Sequence, residues 1–145
     1  MAQREIELIL TRQLASYLNV PVLIVDAKGD LVFFNESAEA ILGRRFEETG
    51  TIRRGEWSAL LRPTNDDGTP IPREEQPLTI ATDQRRPVYR CAWIRGLDGV
   101  NRYVEGIAFP LNGIGNRFLG AIGIFWEVER GDAGPGPTTV GSEAD

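Results

Sequence analysis

Apolar positions along this chain recur with different periods in different stretches, and the period names the element. Between residues 4 and 18, Ile6, Ile9, Leu10, Leu14, Tyr17 and Leu18 come at intervals of three and four, with Arg4, Glu5, Glu7, Arg12 and Gln13 between them. That spacing gathers the apolar side chains into one stripe of an amphipathic helix. The helix is expected to end at Asn19-Val20-Pro21, because proline drives the preceding residue out of the α region. Val22 to Val25 and Leu31 to Phe34 are short runs of strand formers on either side of Asp26-Ala27-Lys28-Gly29, the composition of a tight turn. Asn35 follows directly, then Glu36 to Leu42, then Gly43. An asparagine accepts an orphan amide at a helix start, and glycine adopts the positive φ that ends a helix.

From Gly43 to residue 61 the apolar residues Phe46, Ile52, Trp57, Leu60 and Leu61 are spaced irregularly, which reads as short helical turns. Thr64 to Pro70 is a loop, and a further helix is expected from about Pro77 to Asp83, since proline is tolerated in the first helical turn. Leu78, Ile80 and Ala81 supply its buried contacts. The last third alternates strand-like runs with turn signals: Val88 to Ile94, Arg102 to Leu111 and Phe118 to Val128, separated by Leu97-Asp98-Gly99 and Asn112 to Asn116. Three division lines follow: an N-terminal helix in 1–19, one domain in 20–130, and a tail in 131–145 too poor in apolar residues to order itself.

Strand side chains alternate between faces. In the final strand Gly120, Ile122 and Ile124 form one set and Ala121, Gly123 and Phe125 the other. Val104, Gly106 and Ala108 oppose Tyr103, Glu105, Ile107 and Phe109, while Ala92 and Ile94 oppose Cys91 and Trp93. Neither set is polar, so both faces of the sheet need cover. Residues 36 to 83 cover one. The N-terminal helix, together with a partner subunit, is expected to cover the other, and Ala121 and Gly123 are expected to let that helix approach closely. The expected homodimer interface comprises Ile6, Ile9, Leu10, Leu14 and Tyr17 on the helix, with Trp93, Ile107, Phe109 and Phe125 on the sheet.

Composition narrows the chemistry. The chain has 145 residues, a net charge of −5, one cysteine and no histidine. The acidic balance and scattered arginine pairs speak against a nucleic-acid groove, which needs clustered cations. No apolar run is long enough for a membrane helix, and the N-terminus lacks the pattern of a secretory signal. A lone Cys91 forbids an intrachain disulfide and suits a reducing cytoplasm. Without histidine, Ser/His/Asp and Cys/His catalysis and histidine-ligated zinc are excluded.

The ordered part of the chain resembles the PAS family over residues 20 to 128. The resemblance lies in Asn35 with Ala38-Glu39 and Leu42-Gly43 at the strand-to-helix junction, in Asp66 to Pro77 followed by Leu78, and in Asp98-Gly99, Phe109-Pro110-Leu111, Gly115 and Leu119-Gly120-Ala121 in the closing hairpin. It implies an α+β fold: a five-stranded antiparallel sheet in the order 2-1-5-4-3, helices on one face and the N-terminal helix on the other. It also implies a cavity between sheet and helices. The expected lining is Leu23, Val25, Phe34, Ile41, Leu42, Phe46 and Ile80, with Ala92, Ile94, Val104, Gly106, Ala108, Ile122 and Ile124 from the later strands. A filled core is the bland alternative.

The sequence leaves any cofactor unknown and predicts none in particular. Haem lacks a histidine ligand, and the photoactive flavin branch of the family carries a cysteine where this chain has Gly43-Arg44-Arg45-Phe46. Ile122 stands where that branch places a flavin-binding glutamine. The family's Asp-Ile-Thr ending toward an output domain is replaced by Glu127-Val128-Glu129-Arg130. The expectation is therefore a non-catalytic, cytoplasmic, dimeric sensor that takes a small apolar ligand, a signalling protein partner, or both. The rivals are a pure interaction module and a small cone-fold enzyme. For an enzyme the available acid–base groups are few: Asp26, Asp66, Asp67 and Asp98 lie in apparent turns, Glu105 in a strand, and Tyr89 and Tyr103 lack an evident partner.

Overall fold

The computed structural model describes residues 2–96 and 98–129, with side chains in the first helix described from Glu7 onward. The side chain of Ile6 and the tail expected from 131 lie outside the described residues. Helix α1 is Ala2–Tyr17, and the sheet is built from β1 Val22–Asp26, β2 Leu31–Phe34, β3 Val88–Arg95, β4 Asn101–Asn112 and β5 Phe118–Glu127. All neighbours pair antiparallel in the order β2-β1-β5-β4-β3. The opening and closing hairpins join where β1 pairs with β5, from Val22↔Ile124 to Asp26↔Gly120. Helices α2 Glu36–Leu42, α3 Phe46–Thr49, α4 Glu56–Leu61 and α5 Pro77–Gln84 lie on the concave face. α5 begins on its proline, as the first-turn rule requires.

Asn35 organises the junction of three elements. Its Oδ1 accepts the Ala38 amide at 3.0 Å, capping α2, and also the Val22 amide at 3.0 Å, where β1 begins. Its Nδ2 donates to the carbonyls of Ala15 and Val20, each at 2.9 Å, and of Leu18 at 3.4 Å, closing the C-terminal end of α1. The side chain is fully buried, so these bonds have no competition from solvent. Gly43 ends α2 at φ 81°, the left-handed conformation anticipated from its sequence position.

Two clusters divide the core. Leu23, Val25, Phe34, Leu42, Trp57, Leu78, Val104 and Phe125 belong to the concave cluster, whereas Val22, Ile24 and Ile122 pack with Ala15 on the convex side. Here the face assignment of β5 is the reverse of the one expected. Gly106 pairs with Phe125 and Ile107 with Ile124, and paired residues share a face. Phe125, Ala121 and Gly123 therefore point into the hollow, and Ile122 and Ile124 point toward α1. Alternation divides a strand into two sets without saying which is inside, and both sets of β5 are apolar. Gly123 serves α5 rather than α1: a Cβ there would stand 3.3 Å from the Leu78 side chain.

Helix α1 covers the convex face differently from the expected way. Leu8 and Ala15 join the convex cluster, and the Arg12 guanidinium lies 4.8 Å from the Phe33 ring. These three positions form the row i, i+4, i+7. Polar tethers hold the helix in that rotation: Asn35 at one end, and at the other Glu7, which accepts from Arg117 Nη2 at 2.9 Å and from the Ile114 amide at 3.1 Å. The apolar stripe read from the sequence faces away from the sheet. Ile9 is 53% exposed, Leu10 57%, Leu14 61% and Tyr17 85%. The cover is also partial, since Tyr89 and Trp126 on the β3 side of the convex face are exposed.

Arg102 ties the exit of the sheet to α2. Its Nη1 donates to the Ile41 carbonyl, 2.6 Å away, and Nη2 stands 3.6 Å from Asp98. Asp98 also accepts the Val100 amide at 3.0 Å. That backbone bond, the largest influence, holds the Asp98 carboxyl below its ordinary value of 3.8; burial opposes it, and the Arg102 guanidinium adds to the lowering. The folded state thus binds this proton less readily than the unfolded chain. The stabilisation is present above the unfolded value and is lost as pH falls through the lower folded one. Carboxyl-carbon NMR should show Asp98 titrating below 3.8 in the wild type, and back toward that value after Arg102→Gln.

Candidate functional site

The hollow of the sheet is not completely filled. A cavity of about 120 Å³ lies between β3, β4 and β5 on one side and α4, α5 and their connecting loop on the other. Its floor is made by Leu23, Ala92, Ile94, Val104, Gly106 and Ala108, and its roof by Trp57, Leu61, Pro63, Ile71, Pro77 and Leu78. The floor has room because Ala92, Gly106, Ala108 and Gly123 are small residues at adjacent register positions. Trp57 is held over it by a 3.0 Å bond from Nε1 to the Gly29 carbonyl.

Three polar residues reach the wall. Ser58 Oγ donates to Gln76 Oε1 at 2.7 Å, and Gln76 Nε2 donates to the Ile71 carbonyl at 3.0 Å. These two buried residues satisfy one another, which leaves the interior apolar. Arg90, near the start of edge strand β3, donates from Nη2 to Asn65 Oδ1 at 2.8 Å, while its Nη1 stands 3.7 Å from Glu75 Oε1. Its side chain remains 28% exposed, so it marks the place where the cavity meets solvent.

Of the residues expected to line a cavity, Leu23, Ala92, Ile94, Val104, Gly106, Ala108 and Ile124 do border it. Ile124 does so from a strand whose side chain at that position packs on the α1 side. Val25, Phe34 and Leu42 are buried in the concave cluster, with Ile41 and Phe46 packed against it, and these fill the β2 end of the hollow. Phe46 meets Phe34 edge-on at 5.3 Å between centroids. Ile80 is buried on α5, and Ile122 lies on the convex side. The roof residues and Arg90 were missed by sequence reasoning. For Trp57 and Leu61 the only signal was the irregular apolar spacing between 46 and 61, which predicts packing without a direction; Leu78 was legible as a buried contact but not as cavity lining.

The residues expected at a subunit interface are dispersed. Ile9, Leu10, Leu14 and Tyr17 form the exposed side of α1. Phe109 lies beneath α1 in the convex cluster and Ile107 is half-buried on the same face. Trp93 is buried, stacks edge-on with Tyr103 at 5.2 Å and donates to Asp66 at 3.2 Å. Phe125 belongs to the concave core and offers nothing to a partner's α1.

The carboxylates weighed as acid–base groups stay away from the cavity. Asp26 caps its own turn by accepting the Lys28 and Asp30 amides at 3.0 Å, and Asp67 accepts from Thr69. Glu105 accepts from Trp126 Nε1 at 3.2 Å on the convex face. Beside it Tyr89 meets Cys91 Sγ at 3.3 Å, and chiefly through that hydrogen bond its phenol is pushed up to about 12. Among the described residues there is no cluster of three or more His, Cys, Asp or Glu able to hold a metal ion, and no helix long and apolar enough to cross a membrane.

The sheet order and the helices in its hollow have counterparts among solved structures. The PAS domain of a protein from Colwellia psychrerythraea superposes with a TM-score of 0.58 at 16% identity, covering 84% of this chain and 97% of that one. The PAS domain of BvgS from Bordetella pertussis gives 0.57 at 14% identity, covering 86% and 88%. This is a PAS fold. A light-oxygen-voltage protein from Rhodobacter sphaeroides, at 15% identity, reaches 0.65 over 86% of this chain and 68% of its own. No family model and no curated protein matches the sequence. Within the PAS fold the cavity described above occupies the concave side of the sheet, opposite α1.

Proposed function

We propose that this chain is a sensory domain of intracellular signalling: a non-catalytic PAS module that takes a small apolar ligand in the cavity, pairs with a second copy through α1, and passes its state to a signalling partner. The cavity carries the reading. A hollow of about 120 Å³ with an apolar interior costs its lining residues dispersion contacts unless something occupies it. Its size suits a benzene-sized guest, since an apolar cavity of about 150 Å³ binds benzene. Pockets for drug-sized ligands are several times larger, about 300 to 1,000 Å³, which argues against a flavin or haem as occupant.

A ligand at one hundred times its dissociation constant stabilises by about 2.7 kcal/mol. For a domain of this length that is a rise of about 10 °C in Tm. Thermal-shift screening with small aromatics and short-chain aliphatics, beside mass spectrometry of a denaturing extract, tests the proposal. Ala92→Leu should fill the floor of the cavity, raise Tm by about 4 °C through restored contacts, and abolish the ligand-dependent shift. A full ligand shift in that variant would show that the guest binds elsewhere.

The exposed α1 stripe favours a second reading, in which the domain acts purely by protein association and the cavity is a packing defect. Silence across the ligand screen, together with self-association through α1, selects that reading. Under either reading the net charge of −5 disfavours nucleic acid as a partner.

A further inference from the structure

We infer that the occupant of the cavity is a compact organic acid: an apolar body of about benzene size bearing one carboxylate, bound by Arg90. This rests on the proposal that the cavity is a ligand site. Ser58 and Gln76 spend their hydrogen bonds on each other and on the Ile71 carbonyl, so the interior offers a guest only apolar contact. Arg90 is different. A guanidinium has five N–H donors in a planar fork. Among the described residues it makes one hydrogen bond, to Asn65 at 2.8 Å, and one ion pair without a hydrogen bond, to Glu75 at 3.7 Å. Glu75 is 54% exposed, so solvent screens that pair and a carboxylate guest can compete with it.

The position of Arg90 matters as much as its bonding. It pairs with Gly106 on the face that carries Ala92 and Ile94, and it is one of the residues that border the cavity. A guest that fills the floor over Ala92 and Val104 presents its outer end to that guanidinium. A carboxylate there makes two parallel charge-assisted bonds, which neither Asn65 nor Glu75 supplies. A longer acyl chain has no room, because the β2 end of the hollow is closed by Phe34, Leu42 and Phe46.

Benzoate and the neutral benzyl alcohol are the probes, titrated into the isotope-labelled full chain and followed by NMR. Benzoate should shift the amides of Ala92, Val104 and Ala108 and the Arg90 Nε–H, and bind at least about tenfold tighter than benzyl alcohol. Arg90→Met keeps the apolar stem; it should weaken benzoate by about ten- to a hundredfold and leave benzyl alcohol unchanged. Glu75→Gln removes the competing carboxylate and should tighten benzoate several-fold, an outcome that a merely structural Arg90 would not produce. Equal binding of the two probes, indifferent to Arg90→Met, overturns the acid assignment while leaving an apolar ligand site intact. If neither probe moves the lining amides, the ligand-site reading fails and this inference fails with it.

Discussion

Replacing Asn35 with alanine is expected to lower the free energy of unfolding by about 4 kcal/mol, a loss at the upper end of single substitutions. The side chain is only 2% exposed and its bonds reach three elements. Truncation strands the amides of Val22 and Ala38 and takes the side-chain donor from the Val20 carbonyl, while the Ala15 carbonyl keeps the Leu18 amide at 3.1 Å. Each buried polar group left without a partner costs about 1 to 3 kcal/mol, and the lost cap of α2 is one of them. Water entering the space offsets part of the total, which is why the sum is not larger. Urea unfolding of the wild type and of Asn35→Ala measures the difference.

Asn35→Asp separates the two halves of this hub. The carboxylate still accepts from Val22 and Ala38 and favours the start of α2, but it has no donor for α1 and sets negative charge against the Ala15 and Val20 carbonyls. Hydrogen exchange should then quicken in α1 while β1 and α2 stay protected. Uniform protection across all three elements would show that α1 is held by its other contacts, chiefly the Glu7 pair with Arg117.

The double variant Leu10→Glu with Leu14→Glu is expected to dissociate the dimer proposed through α1, weakening association by more than about a hundredfold. Burying a leucine side chain is worth about 1.5 to 3 kcal/mol, and in a two-fold interface each substitution acts twice. Both leucines are more than half exposed in the isolated chain, so the monomer's own unfolding should change by less than about 0.5 kcal/mol. Sedimentation velocity of wild type and variant across a concentration series reads the effect. A wild type that remains monomeric at high concentration removes the dimer from the proposal.

Local chemistry explains why much of the fold was legible. Asn35 before an Ala-Glu helix, Gly43 at its end, Pro77 at the start of α5 and the Asp-Gly turn before β4 each act within a few residues, and each does in the structure what its position announced. The alternation of β3 and β4 also carried through, because Ala92, Val104 and Ala108 face the hollow as expected. For β5 it failed, because large and small apolar residues occupy both faces and nothing within the strand distinguishes them.

The same limit governs α1 and the cavity. The amino-acid order alone determined an amphipathic helix, read over residues 4 to 18, an opening hairpin and a closing three-strand meander; the joining of the two through β1 and β5 came with the family resemblance. The order alone could not decide which side of the helix meets the sheet. That choice was made by Asn35 and Glu7, polar groups whose partners lie from 15 to 110 residues away and whose bonds outweigh the weaker preference of an apolar stripe for cover. Only the tertiary structure brought Trp57, Gln76 and Arg90 around the small residues of the sheet, because a cavity is what packing leaves over, and no short stretch of chain encodes it.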